Sequence, residues 1–145
     1  MPSILRRQLS MGEPVAFFAG KQASQTGIGL NQDIMFDAIK LNLGNGFRSV
    51  HSNFVAPRAG AYLFSATVLT HITPVEIRAA ITVNNVTVAR IFGHASSGRH
   101  DQGSHTVIVH LQAWDEVCVR NIDLENRVIF GELFSSFGGV LLFDI

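Results

Sequence analysis

Six histidines, one cysteine and one glycosylation pattern are the residues of this chain whose chemistry invites a site. The histidines are His51, His71, His94, His100, His105 and His110. Three of them, His94, His100 and His105, lie in or beside the polar stretch "GHASSGRHDQGS" at 93–104. Zinc takes Cys, His and carboxylate ligands at recognisable spacing. No H-x-H pair with a downstream Glu and no H-E-x-x-H occurs here, so these histidines read as solvated loop residues. No G-x-S-x-G elbow or Gly-rich phosphate loop is present either, and the chain is expected to be a non-enzyme. Cys118 shares a strand face with Glu116 and Arg120, opposite Val117 and Val119. Being single, it cannot form an internal disulfide, and the common fate of such a thiol is burial as a small hydrophobe. Asn85-Val86-Thr87 is an acceptor pattern for N-linked sugar. Its Asn also suits a turn, and its Thr suits a strand.

The bulk of the chain limits what those residues can serve. At 145 residues it fits one domain. Charged residues make up 15%, well under the usual ~25%. Eleven basic and eleven acidic residues cancel, and no basic block stands ready for phosphates. Nucleic acid is therefore not an expected partner. Mean hydropathy is +0.26, yet no run reaches the ~18 apolar residues of a membrane helix. No membrane insertion is expected. A greasy surface with few charges points instead to cover by another subunit. The start, "MPSILRRQLSMGEP", has Arg6 and Arg7 but no apolar stretch after them, and is not a signal peptide as it stands. Residues 1–13 are expected to be a tail or linker stub, and 14–145 a single globular domain.

The elements that position these groups are strands. Short β-branched and aromatic runs alternate with Gly, Asn, Pro and Ser breaks. Strands are predicted over 14–19, 34–41, 47–55 and 60–71, with 21–33 a polar loop. In "EIRAAITVNNVTVARIF" two alternating runs flank Asn84-Asn85. A two-residue hairpin turn needs φ > 0 at both central positions, which Asn tolerates. Further strands are predicted in "HTVIVHL" and "DEVCVRNI", and the nearly all-apolar "LFSSFGGVLLFDI" is expected in mid-sheet or against a partner. About ten strands without a strong helix predict an all-β, antiparallel, two-sheet jelly-roll sandwich.

The stretch "SNFVAPRAGAYLFSATV", 52–68, carries the most specific signal. Gly60, Tyr62, Phe64 and Ala66 share one strand face. A packed aromatic layer between two sheets is the expected use, with Gly60 serving a turn conformation. The run Phe36, Asn42, Phe47, Phe54, Gly60, Tyr62, Phe64 resembles the signature of the complement C1q-domain family. "PVAFFA" at 14–19, "WDEVCVR" at 114–120 and "SSFGGVLLF" at 135–143 resemble that family's first, later and closing strands. Ala66 stands where the signature has a final aromatic, Cys118 replaces a common tryptophan, and no Gly-X-Y stalk precedes the domain.

The resemblance implies a ten-stranded, tumour-necrosis-factor-like jelly roll that assembles as a homotrimer, is secreted, and recognises rather than transforms its ligand. Two function classes follow. One is an innate-immune module binding microbial-surface or carbohydrate patterns. The other is a structural or signalling trimer whose ligand is a protein receptor. Ligand-binding candidates for either are Arg99, His100, Asp101, Asp123, Glu125 and Arg127, on two polar loops. No cofactor is required. Calcium is possible, because "DQGS" with Asp101 resembles the acidic loop through which some relatives bind it, although a second aspartate of that loop is missing here.

Overall fold

A computed structural model describes residues 12–145; of the expected N-terminal tail, all but Gly12 and Glu13 lies outside the described residues. Twelve strands and no helix make up the described chain. They form two antiparallel sheets, of seven and five strands.

The first sheet contains β1 (Ala16–Lys21), β2 (Gln25–Ile28), β3 (Ala38–Leu43), β6 (Gly60–Thr70), β9 (Gln102–Leu111), β11 (Arg127–Phe130) and β12 (Ser135–Asp144). Its long strands run in the order β3-β1-β12-β6-β9. The second contains β4 (Phe47–Arg48), β5 (Asn53–Val55), β7 (Glu76–Val83), β8 (Val86–His94) and β10 (Glu116–Asn121), in the order β4-β5-β10-β7-β8. Ten strands thus form the expected two-leaf sandwich. The short β2 and β11 pair with each other at one end of the first sheet.

Alternation places Phe17, Tyr62, Phe64 and Phe137 of the first sheet against Phe54 and Phe47 of the second. All six are buried, and Phe36 joins them. The rings touch in stacked and edge-on pairs, with Phe17 4.9 Å from Phe47 and 5.1 Å from Phe54 between centroids. Offset and T-shaped pairs each add roughly 0.5–1.5 kcal/mol beyond the burial itself. The aromatic run after the corner is therefore core, not surface. Asn42 explains its own place in the signature. Its amide donates to the Phe47 carbonyl at 2.9 Å and accepts from the Phe47 N–H at 3.1 Å, closing the 43–46 turn. Tyr62 donates its hydroxyl to the Arg58 carbonyl at 2.8 Å, which pins the corner.

Four expectations are corrected. The strand predicted over 47–55 is a hairpin of β4 and β5, with Phe47 opposite Phe54 and a turn at 49–52 between them. Gly60 does not adopt a left-handed backbone. It is glycine because a Cβ there would lie 2.4 Å from Leu141 Cδ1 and 2.7 Å from the Phe143 carbonyl oxygen. Residues 34–37 do not belong to the strand predicted over 34–41, which is β3 at Ala38–Leu43. There the Phe36 N–H is taken by Ser52 Oγ at 2.7 Å, so it is not free for a ladder. The loop at 21–33 contains β2.

The Asn84-Asn85 hairpin forms as expected, with φ of 47° and 68° and Val83 opposite Val86. β12 lies between β6 and β1, in mid-sheet as expected of an apolar closing strand. Register sets the two ends of the sandwich. Pro14, Arg58, the Asn84-Asn85 tip, Trp114 and Asp144 lie at the end of the chain termini. The turns at 71–75, 95–101, 122–126 and 131–134 lie at the other.

Candidate functional site

The far end and the adjoining open face of β7 and β8 carry a groove that register alone assembles. Arg78 of β7 lies directly opposite Phe92 of β8, and Arg90 lies opposite Ala80, two residues along. Strand alternation turns Arg78, Arg90 and Phe92 to the same outer face. The turn after β10 then brings in Asp123. Ile122 donates its N–H to the Arg78 carbonyl at 2.8 Å, and Leu124 N–H closes a tight turn on the Ile122 carbonyl at 2.8 Å. The wholly buried Asn121 holds this turn from below. Its amide donates to the carbonyls of Gly29 at 2.9 Å and Leu124 at 2.7 Å.

Asp123, at a left-handed φ of 67°, aims its carboxylate between the two arginines. Oδ2 is 3.1 Å from Arg90 Nη1 and 3.5 Å from Arg78 Nη1. The Arg78 guanidinium also lies 3.4 Å from Glu76 and 5.9 Å from the Phe92 ring centroid. Around this group, with Ile91 and Ile122 as walls, is an open cavity of about 210 Å³. Phe92 is 56% exposed on this outer sheet face.

The six candidates of the polar loops separate. Asp123 is in the groove. Arg127 lies beside it, donating to the Glu76 carbonyl at 3.1 Å and the Glu125 carbonyl at 2.9 Å, and Glu125 is exposed on the same turn. Arg99 is exposed at the end of a tight 96–99 turn, paired through its backbone to Ser96. His100 and Asp101 serve the loop itself. The His100 ring packs 4.9 Å from Phe130 and 5.9 Å from His71, and Nδ1 meets the Thr70 carbonyl. Asp101 Oδ2 accepts the His94 N–H at 2.8 Å, and its own N–H donates to Thr70 Oγ1 at 2.8 Å.

His94, His100 and His105 are not brought together. His105 instead meets the Arg90 carbonyl at 2.8 Å. Among the described residues no group of three or more His, Cys, Asp or Glu side chains is placed to hold a metal. Calcium takes six to eight oxygens. Within one chain Asp101 offers a single carboxylate with one oxygen already committed to the loop, a poor fit.

Arg78, Arg90 and Phe92 are absent from the sequence-based candidates. The outward phase of two strands flanking a clear hairpin was the available signal for all three. Cys118 is buried as expected. Burial, aided by the Asp33 and Glu116 carboxylates, pushes its thiol up to about 12, so it stays protonated and unreactive. Arg120 donates to Asp33 at 2.8 Å, and that bond raises its already high pKa.

Comparison with known proteins places this geometry in a family. The family model for the C1q domain matches residues 16–142. Complement C1q tumor necrosis factor-related protein 3 of Mus musculus is 30% identical over 116 residues, 79% of this chain and 46% of that protein. The chain therefore spans less than half of that relative's length. Among solved structures, the globular domain of zebrafish complement 1qA protein superposes with a TM-score of 0.75 at 14% identity, covering 90% of this chain and 99% of that one. The Eiger tumour-necrosis-factor structure from S. frugiperda superposes at 0.72 and 14% identity, covering 92% and 96%. These two likenesses reflect the shared jelly roll. With the aromatic core and the family match together, the chain belongs to the C1q-domain family.

Proposed function

We propose that this chain is an extracellular, non-enzymatic recognition module that assembles as a homotrimer and binds carbohydrate groups of microbial surfaces at the Arg78–Arg90–Phe92–Asp123 groove. The observation that carries this reading is an exposed aromatic face bordered by two guanidinium groups and one carboxylate. A sugar ring has an apolar C–H face and a rim of hydroxyls. Phe92 suits the face, and the planar, multidentate Arg90 and Asp123 suit the rim. Asp123 is held by long ion pairs on an open surface, which cost little to rearrange. Arg127 and Glu125, on the turn that carries Asp123, are the secondary contacts of this reading. One such site binds weakly, and three on a rigid body raise avidity by 10²–10⁴ where the ligand repeats.

A screen of microbial polysaccharides against protein ectodomains tests this. Retention on polysaccharide is expected. Phe92→Ala and Arg90→Ala are each expected to weaken it about fivefold per site, at roughly 1 kcal/mol per contact. Neither is expected to change the melting temperature, since both side chains are exposed. Retention on polysaccharide unchanged in both variants would move the sugar contact away from this groove, and binding to ectodomains alone would replace this reading with the protein-receptor alternative.

A further inference from the structure

We propose that Asn85 is an attachment site for N-linked sugar, and that the attached sugar shields the exposed Trp114 beside it. Asn85-Val86-Thr87 is the only such pattern in the chain. Its two adjacent asparagines have different tasks. Asn84 is fully engaged: its amide nitrogen donates to Asp115 at 3.0 Å and its amide oxygen accepts the Glu116 N–H at 2.9 Å. Asn85 is the outer corner of the turn, with φ of 68°, and it is exposed together with Val86 and Thr87. The turn chemistry that favours Asn at both positions thus requires the side chain of only one.

The surroundings fit an oligosaccharide. The Asn84–Asp115 hydrogen bond ties the hairpin tip to the 112–115 turn, so Trp114 stands next to it. Trp114 is 74% exposed and Val86 65%. Trp114 also sits at a left-handed φ of 76°. So much bare apolar surface around one exposed asparagine matches the C–H faces of a sugar. The tip belongs to the second sheet, so a glycan leaves the outer face of the first sheet clear.

The transfer forms a bond from Asn85 Nδ2 to C1 of the sugar and breaks the C1–O bond to a lipid-linked pyrophosphate. The pyrophosphate is the leaving group, and the amide loses one proton. Natural occupancy rests on the extracellular route proposed above, so the experiment supplies that route. The full chain is expressed in eukaryotic cells behind an added signal sequence and weighed intact, before and after peptide-N-glycosidase. Attachment is scored on both secreted and cell-retained protein. A glycosidase-sensitive mass is expected for the wild type and for Asn84→Gln, and its complete loss in Asn85→Gln and Thr87→Ala. Wild-type protein without that mass overturns the site, whether or not the chain binds polysaccharide. Trp114 is the only tryptophan, so its fluorescence reports on its cover. Acrylamide is expected to quench the glycosylated form less than the enzyme-treated form, and equal quenching overturns the shielding of Trp114.

Discussion

Lys21 carries a buried ammonium at the edge of the core. It is 2% exposed, and its ammonium donates to Gln25 Oε1 at 2.8 Å and to the Met35 carbonyl. Burial lowers its pKa from 10.5 to about 8, with the Asp37 carboxylate pulling the other way. The unfolded chain therefore keeps this proton to higher pH than the folded one. Where the unfolded state holds more protons, stability rises with pH. Lys21 thus makes the protein more stable as pH climbs from about 8 toward 10.5. Cys118 acts in the opposite sense as pH approaches and passes 9, because its folded thiol holds its proton up to about 12. Tyr62, raised by burial, adds to that decline from pH 10. Between pH 8 and 9 Lys21 is the largest contributor, opposed in part by Cys118, whose thiol in the unfolded chain is half ionised by pH 9. The unfolding free energy from denaturant titrations is expected to rise over that unit by about 0.5–1 kcal/mol, below the one-proton limit. Lys21→Met is expected to abolish the rise. A wild-type midpoint flat from pH 8 to 9 would show that the ammonium is better solvated than its position indicates.

At the scale of elements, legibility followed the locality of the signal. The β7–β8 hairpin was legible because two asparagines at φ > 0 announce a primed turn within four residues. The aromatic core was legible because alternation fixes which of Phe54, Tyr62 and Phe64 point inward. β2 and β11 were not, since they pair over only two registered positions far apart in sequence. The groove was missed for the same reason. Arg78 and Phe92 are fourteen positions apart and meet only through the hairpin register, while Asp123 arrives on a turn anchored to Arg78 by one backbone bond. Gly60 shows a subtler limit. Glycine in a sequence signals either a left-handed backbone or a close approach, and only β12 lying against it decides for the second. Gly60→Ala is accordingly expected to destabilise by about 1–3 kcal/mol, the usual cost of overpacking. The Leu141 methyl can move aside, but the Phe143 carbonyl belongs to the ladder. A denaturation midpoint equal to wild type would mean that β12 yields at this point, as its register shift at Leu142 allows.

At the scale of the whole molecule, the outer face of the first sheet remains bare. Leu63 lies opposite both Val140 and Ile108, and Phe18 opposite both Gly138 and Leu41, all on the phase that points away from the core. Phe18, Leu41, Val140 and Ile108 are exposed in the single chain. Contiguous apolar surface of this kind marks an interface in a soluble protein. The patch fits the low charge fraction of the sequence, and the homotrimer proposed above is the assembly that would cover it. An obligate interface of this type buries on the order of 2,000 Å² or more in total. Light scattering on dilute protein is expected to give three times 15.8 kDa. Ile108 is the most informative position to change. It is 65% exposed in one subunit, so an aspartate there leaves the aromatic core of that subunit untouched. Ile108→Asp is expected to dissociate the assembly while preserving the β-sheet circular dichroism spectrum. The separated subunit is expected to melt at lower temperature and to lose avidity for a repeated ligand, while its single-site affinity at the Phe92 groove persists. An Ile108→Asp protein that stays trimeric would place the subunit contact elsewhere, and the bare face of the first sheet would then need another partner.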